Sequence, residues 1–336
     1  MQSSTITGWG MALPETVVTN ADLEARLDTS DSWITERTGI KERRIGGTTI
    51  DLAIQAGAQA LKSASDKSGE ILSNVDVLIV STNTPDPPVP ATSAYVQDAL
   101  GLECGVFDLN SGCSGFIYAL VAANGLIGAG MDRVLVIASD TVSKIVDQND
   151  RGTAILFGDG AGACLIESKE SLIRAAHQDR KSAASHQVDL QSDILAWDLG
   201  SDGYASKFLY RNHDSFVVMD GREVFKRAVR ATAESAKKAL NKAGLDPSQI
   251  NWFIPHQANL RIIEAVGERI NIPIERTIIT IDRTGNISSA SIPLALAQAA
   301  DQGRIKSGDL LLMSGFGAGL TWGSVIVRWN GTGMNS

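Results

Sequence analysis

Three residues stand where side chains do chemistry. Cys113 lies in DLNSGCSGF, where an apolar run passes through a small-residue turn into an apolar stretch of helical length. A cysteine at a helix N-terminus faces unpaired backbone N–H groups and the positive end of the helix dipole, which favour thiolate over thiol. A thiolate so placed is a nucleophile, and Gly112 and Gly115 leave room for a substrate to reach the sulfur. His256 follows WFIP in PHQAN, where a strand gives way to the helix LRIIEAVGERI, and Asn286 sits in TGNISSAS, another strand-to-helix turn. Singly, each has a plainer reading as a buried cysteine, a hydrogen-bonded histidine or a helix-capping asparagine. Cys104 and Cys164, in or beside strand-like runs, take that plainer reading, and His177, His186 and His213 read as surface residues.

The elements that must position these residues show as short apolar, β-branched runs at 75–81, 106–109, 133–139, 163–167, 252–255, 277–281, 309–314 and 324–329. Separated by helical stretches, they predict an α/β sheet covered on both faces. Asn20 and Ser30 read as helix caps, with Gly39 ending the second helix, and Gly221 precedes a long helix. In that helix Phe225, Ala228, Val229, Thr232, Ala236, Ala239 and Leu240 form one apolar stripe, leaving Lys226, Arg227, Arg230, Lys237 and Lys238 outside it. The order of features repeats. VDVLIVST, DLNSGCSGF, RVLVIASD and FGDGAGACLIE in the first half answer to INWFIPHQ, IDRTGNISSAS, DLLLMSG and GFGAGLTWGSVIV in the second, once 141–157 is treated as an insertion. A duplicated α/β unit follows, with halves 1–170 and 171–336 and the join in the polar stretch 168–191. Asn286 then corresponds closely to Cys113, and residues of both halves meet at a pseudo-twofold axis. The glycine runs after Phe157 and from Gly315 precede strands, not helices, so they read as hairpin turns and not as dinucleotide-binding loops.

The 336 residues, 43% hydrophobic and 20% charged, are ample for a large folded core. A net charge of -8 argues against nucleic-acid or membrane-surface binding. Three cysteines make no disulfide framework, no metal-ligand spacing occurs, and no apolar run approaches the roughly 20 residues that span a bilayer. With no basic residue before Arg26 and no sustained apolar core beside it, no secretory signal is expected; a cytoplasmic protein is.

Taken together, DTSDSWITERTGI, NSGCSGF, DRGT, FGDGAGA, PHQANLRI, TGNISSASIP and GFGAGLTWGS resemble β-ketoacyl-acyl carrier protein synthase III over 6–329. The resemblance implies a thiolase-like fold of two duplicated halves in five αβαβα layers, a homodimer, and a Cys-His-Asn triad at Cys113, His256 and Asn286. It implies that acyl-coenzyme A loads Cys113 and that malonyl-acyl carrier protein is then decarboxylated and condensed, with coenzyme A as substrate and no resident cofactor. By the same motif matching, the backbone N–H groups of Cys113 and Ala318 form the oxyanion hole, and Trp33, Arg37 and Arg151 bind coenzyme A. Lys226 and Arg261 meet the carrier protein, and Val89 and Phe316 bound the acyl pocket. Three positions depart from the family pattern: Val89 where an aromatic residue is common, Arg222 in place of asparagine, and Ile287 in place of threonine.

Papain-like proteases also use Cys, His and Asn, but Cys113 lacks their signature and their N-terminal placement. A carrier-binding module without activity leaves the three side chains unexplained. A nearer alternative keeps the fold and passes the acyl group to another acceptor in secondary metabolism; Asn286 favours condensation over ester formation.

Overall fold

The computed structural model describes residues 2–65, 73–178 and 191–331, with side chains from 175 to 178 left aside. His186 and 179–190, the middle of the predicted join, lie outside the described residues. Two sheets carry the chain. The first runs in the order Ser4–Ala12, Asp159–Ser168, Arg133–Thr141, Val77–Ser81, Gly105–Leu109. The second runs Ile194–Ser201, Thr321–Arg328, Leu310–Gly317, Trp252–Pro255. The pairing senses repeat position by position: two antiparallel pairs, then a parallel one.

The fifth position differs. Gly105–Leu109 is a full parallel strand beside Val77–Ser81, but the expected strand at 277–281 is reduced to a single parallel bridge, Phe253 to Thr277, and the N–H of Ile278 donating to the carbonyl of Phe253 at 2.8 Å. The cause is Gln257. Its buried carboxamide accepts from the N–H groups of Thr280 (2.9 Å) and Ile281 (3.2 Å) and donates to the carbonyl of Ile278 (3.2 Å), so backbone groups that a ladder would pair are satisfied locally. The chain then turns into the short helix Ile281–Thr284.

Helices make three layers and the two sheets the other two. Thr49–Ala64 and Thr92–Ala99 cover the outer face of the first sheet through Leu52, Ala56, Leu61 and Val96. Gly115–Gly128 and Ser291–Asp301 lie between the sheets and touch both. Gly221–Ala243 and Leu260–Ile270 cover the second sheet through Val229, Leu240, Val266 and Ile270. Each large aliphatic side chain buried this way contributes about 1.5–3 kcal/mol.

Ser4–Ala12 and Ile194–Ser201 are strands outside the apolar, β-branched runs. In the first, a Cβ on Gly8 would lie 2.2 Å from the carbonyl oxygen of Ala60, and one on Gly10 2.3 Å from that of Ala56. The glycines dilute the strand pattern because a helix packs directly on the backbone there. Ser30 caps Asp31–Thr38 and Gly39 ends it with φ 79°, as expected. The other two boundaries shift by one residue. Thr19, not Asn20, caps the shorter helix Asn20–Glu24, and Asp220, not Gly221, caps the long one by accepting from the N–H groups of Arg222 and Glu223. Phe225 is not in the buried stripe: it is 38% exposed, and Val224 is buried instead. The run from Gly315 is a hairpin, as expected, whereas the run after Phe157 is strand: a Cβ on Gly162 would meet the backbone N of Leu294 at 2.4 Å, so this glycine admits the central helix.

Candidate active site

Cys113 sits between the end of Gly105–Leu109 and the start of Gly115–Gly128. Gly112 holds the turn with φ 56°, and its backbone abuts Ala318: a Cβ there would be 2.6 Å from that residue's N and O. A Cβ on Gly317 would lie 2.2 Å from the backbone N of Cys113. The 310–328 hairpin of the second sheet therefore closes directly on the cysteine of the first. His256 follows Trp252–Pro255, and its N–H donates to the carbonyl of Ser314 at 2.8 Å. Asn286 is fixed by its N–H donating to the Leu156 carbonyl (2.8 Å) and its own carbonyl accepting from Gly158 (3.0 Å). Its Oδ1 accepts from the N–H of Ser288 at 2.9 Å, leaving the amide N–H groups to the cavity.

Cys113, His256 and Asn286 all line one mostly apolar cavity of about 420 Å³, together with Phe316 and Ala318. Leu209, Tyr210, Val217 and Met219, which the sequence reading did not single out, also line it, together with Phe225. The exposed Phe225 is thus part of the cavity wall.

Burial decides the protonation states. It pushes the Cys113 thiol up to about 11, against the lowering effect of the Ser288 hydroxyl, and the charge of Asp140 pushes it the same way. The thiolate expected from the helix start alone is outweighed, because transfer of the charged sulfur out of water costs more than a partial dipole returns. Burial also drives His256 down to about 3. Its imidazole is neutral above that pH and has one N–H to donate; Nδ1 has no hydrogen-bond partner among the described residues. Such a ring acts as a donor to a developing oxyanion without adding a charge to the site.

Trp33 lies on Asp31–Thr38 with the guanidinium of Arg37 4.6 Å and that of Arg151 4.8 Å from its ring. The indole packs on the cluster containing Ile263 and Leu156, two cavity-lining residues. Arg151 also donates to the carbonyl of Asp28 at 2.7 Å. Lys226 is exposed on Gly221–Ala243, and Arg261 is exposed on the first turn of Leu260–Ile270, donating to the carbonyl of Glu36 at 3.1 Å. Val89 lies outside the cavity, 82% exposed on its loop in the single chain. Arg222 is exposed, and Ile287 is buried in the core between the sheets, so its departure from threonine does not face the substrate.

A polar cluster behind the cysteine escaped the sequence reading. Fully buried Asp140 accepts from Asn83 N (2.7 Å), Ser289 N (3.0 Å) and the hydroxyls of Thr82 (3.2 Å), Thr84 (3.1 Å) and Ser289 (2.6 Å). The sequence does carry a signal: an acid closing the apolar run RVLVIASD, a position that calls for buried donors.

Two duplicated sheets in five layers, with a Cys, His and Asn cavity at their junction, define a thiolase-like enzyme. The profile described as 3-oxoacyl-[acyl-carrier-protein (ACP)] synthase III matches residues 107–181, and that of its C-terminal part matches 240–329. A relative named β-ketoacyl-[acyl-carrier-protein] synthase III 1, from Bacillus anthracis, is 44% identical over 329 residues, 96% of this chain and 98% of its own. The solved 3-oxoacyl-[acyl-carrier-protein] synthase III of Aquifex aeolicus is 42% identical with a TM-score of 0.87, covering 97% of this chain and all of that one. A priming β-ketosynthase from a polyketide biosynthetic pathway has the same TM-score at 31% identity, covering 98% and 97%. The chain belongs to the β-ketoacyl-[acyl-carrier-protein] synthase III family. It is an acyltransferase, a condensing enzyme of fatty acid biosynthesis. Among the described residues no helix is long and apolar enough to cross a membrane.

Proposed function

We propose that Cys113 takes an acyl group from acyl-coenzyme A as a thioester and passes it to the carbanion formed when malonyl-acyl carrier protein loses carbon dioxide. The observation that carries this is the convergence of Cys113, His256 and Asn286, from three turns far apart in sequence, on one apolar-walled cavity. In the first step the sulfur attacks the acyl carbonyl and the thiol proton leaves on coenzyme A. In the second, His256 and Asn286 donate to the malonyl thioester oxygen as enolate charge develops, and the carbanion attacks the acyl-Cys carbonyl, whose C–S bond then breaks to return the free Cys113 sulfur. The backbone N–H groups of Cys113 and Ala318 hold that oxyanion; the close approach of Gly112 to Ala318 and of Gly317 to Cys113 supports the pairing. The reaction as read uses coenzyme A as substrate, with no resident cofactor.

Trp33, Arg37 and Arg151 stack on and pair with the adenine and phosphates of coenzyme A, a role their cluster at the cavity suits. Lys226 and Arg261, exposed cations on adjacent helices, dock the acidic carrier protein. The halves 1–170 and 171–336 act as the two units that bracket the site. Two copies pair along the free edge of Gly105–Leu109, where Phe107 is 40% exposed, and Val89 bounds the partner's acyl pocket while Phe316 lines its own. The enzyme works in the cytoplasm, in keeping with three unpaired cysteines.

Incubation with a panel of acetyl to decanoyl coenzyme A and intact-mass measurement tests the reading: one acyl adduct is expected, absent in Cys113→Ala. No adduct with any primer, or an adduct that survives Cys113→Ala, sinks it. The likeness to a polyketide-priming ketosynthase supports a second reading, the same chemistry in secondary metabolism, which the preferred primer and acceptor in that panel distinguish.

A further inference from the structure

Ser288 is held in the left-handed backbone region, φ 47°, which a residue with a side chain occupies only under strain and which clusters at functional sites. It lines the cavity, and its Oγ is 3.5 Å from the Sγ of Cys113. The other partner of this hydroxyl is Asn83, whose Nδ2 donates to Oγ at 2.9 Å. The direction of that bond is set from behind. The Asp140 carboxylate only accepts, and it takes both the backbone N–H of Asn83 (2.7 Å) and its Nδ2 (3.4 Å). The Asn83 amide therefore presents N–H to both Asp140 and Ser288. With its oxygen occupied as acceptor, the Ser288 hydroxyl has its own proton to give, and Cys113 is the group within reach.

We propose that Ser288 is a further catalytic residue, the hydroxyl donor that holds the Cys113 sulfur as thiolate for acylation, with Asn83 and Asp140 as positioning residues that aim it. The inference rests on Cys113 being the nucleophile. The charged and titratable groups around the sulfur are His256, neutral above about pH 3, and Asp140 behind Asn83, with Tyr210 and Arg211 lining the same cavity. Burial and the Asp140 charge both disfavour the thiolate, whereas the Ser288 hydroxyl favours it.

The test is the pH profile of Cys113 alkylation by iodoacetamide in the full chain, with the adduct located by peptide mass. Ser288→Ala should move the midpoint up by about one pH unit, the loss of one hydrogen bond to a charged sulfur. Asn83→Ala, on another element, should move it in the same direction by less, and carries the test alone if Ser288→Ala does not fold. An unchanged midpoint in the folded variants overturns the inference, even if condensation slows. Wild-type acylation by acyl-coenzyme A is measured beside it: a shifted midpoint without acyl transfer would defeat the proposed function and leave Ser288 in its role.

Discussion

The fifth strand position of the two sheets is where the duplicated halves part. In the first half it is the complete strand Gly105–Leu109, with a free edge and an exposed Phe107; in the second, Thr277 makes one bridge and Ile278 is buried. Both segments lead into a site turn, one carrying Cys113 and the other Asn286. The first half keeps a regular strand and starts a long helix beside Cys113. The second gives up the ladder, and the Gln257 side chain ties the chain end next to His256 to the segment that approaches Asn286. Duplication supplies the frame, and local loss of regularity in one copy supplies a second kind of functional group.

Breaking the chemistry of each half should give different failures. Cys113→Ala is expected to remove acylation and lower condensation by at least about 10³-fold. His256→Ala and Asn286→Ala should each lower release of carbon dioxide from malonyl-acyl carrier protein by about 10²–10³-fold while keeping acylation of Cys113. Radiolabelled carbon dioxide release and adduct mass, measured on the same samples, separate the two; normal release in both second-half variants contradicts the division.

Gln257→Leu attacks the irregular segment directly. It removes the buried partner of two N–H groups and of the carbonyls of Pro255 and Ile278, and a loss of about 3 kcal/mol in urea unfolding is expected. An equivalent loss has no counterpart at Gly105–Leu109, whose backbone is paired by the neighbouring strand. A neutral Gln257→Leu variant would remove the account given for the missing strand.

The histidine adds a pH signature to the second half. Its folded-state value lies below the unfolded one, so the unfolded chain binds the extra proton between about pH 6.5 and about 3. Stability from the neutral buried ring is present above the upper value and lost as pH falls through this window. The melting temperature of His256→Gln should therefore decline less steeply with acid than that of the wild type, and parallel curves would speak against a buried neutral imidazole. The smallest change in the folded chain is expected from Phe107→Glu on the free edge: unchanged unfolding of the single chain, but a shift from dimer to monomer by light scattering.

Much of this was legible in the sequence. The turn around Cys113, the motifs holding His256 and Asn286, the repeated order of apolar runs and the Ser30 and Gly39 helix signals all act over a few residues, so local patterns report them. Phe225 was misread because helical spacing does not say where a cavity opens beside a helix face. Ser4–Ala12 was passed over because Gly8 and Gly10 answer to a helix some fifty residues later in the chain. The stretch at 277–281 has strand composition, yet a side chain from 257 takes its hydrogen bonds.

The chemical types at the site and the duplicated α/β frame that carries them follow from local residue patterns. Their protonation and aim follow from packing. Burial by elements from both halves raises the cysteine thiol and keeps the histidine neutral, and Asp140, Asn83 and Ser288, from three separate segments, line up behind the sulfur. Solvent exclusion and hydrogen-bond direction depend on everything that surrounds a group, which no local stretch of residues encodes.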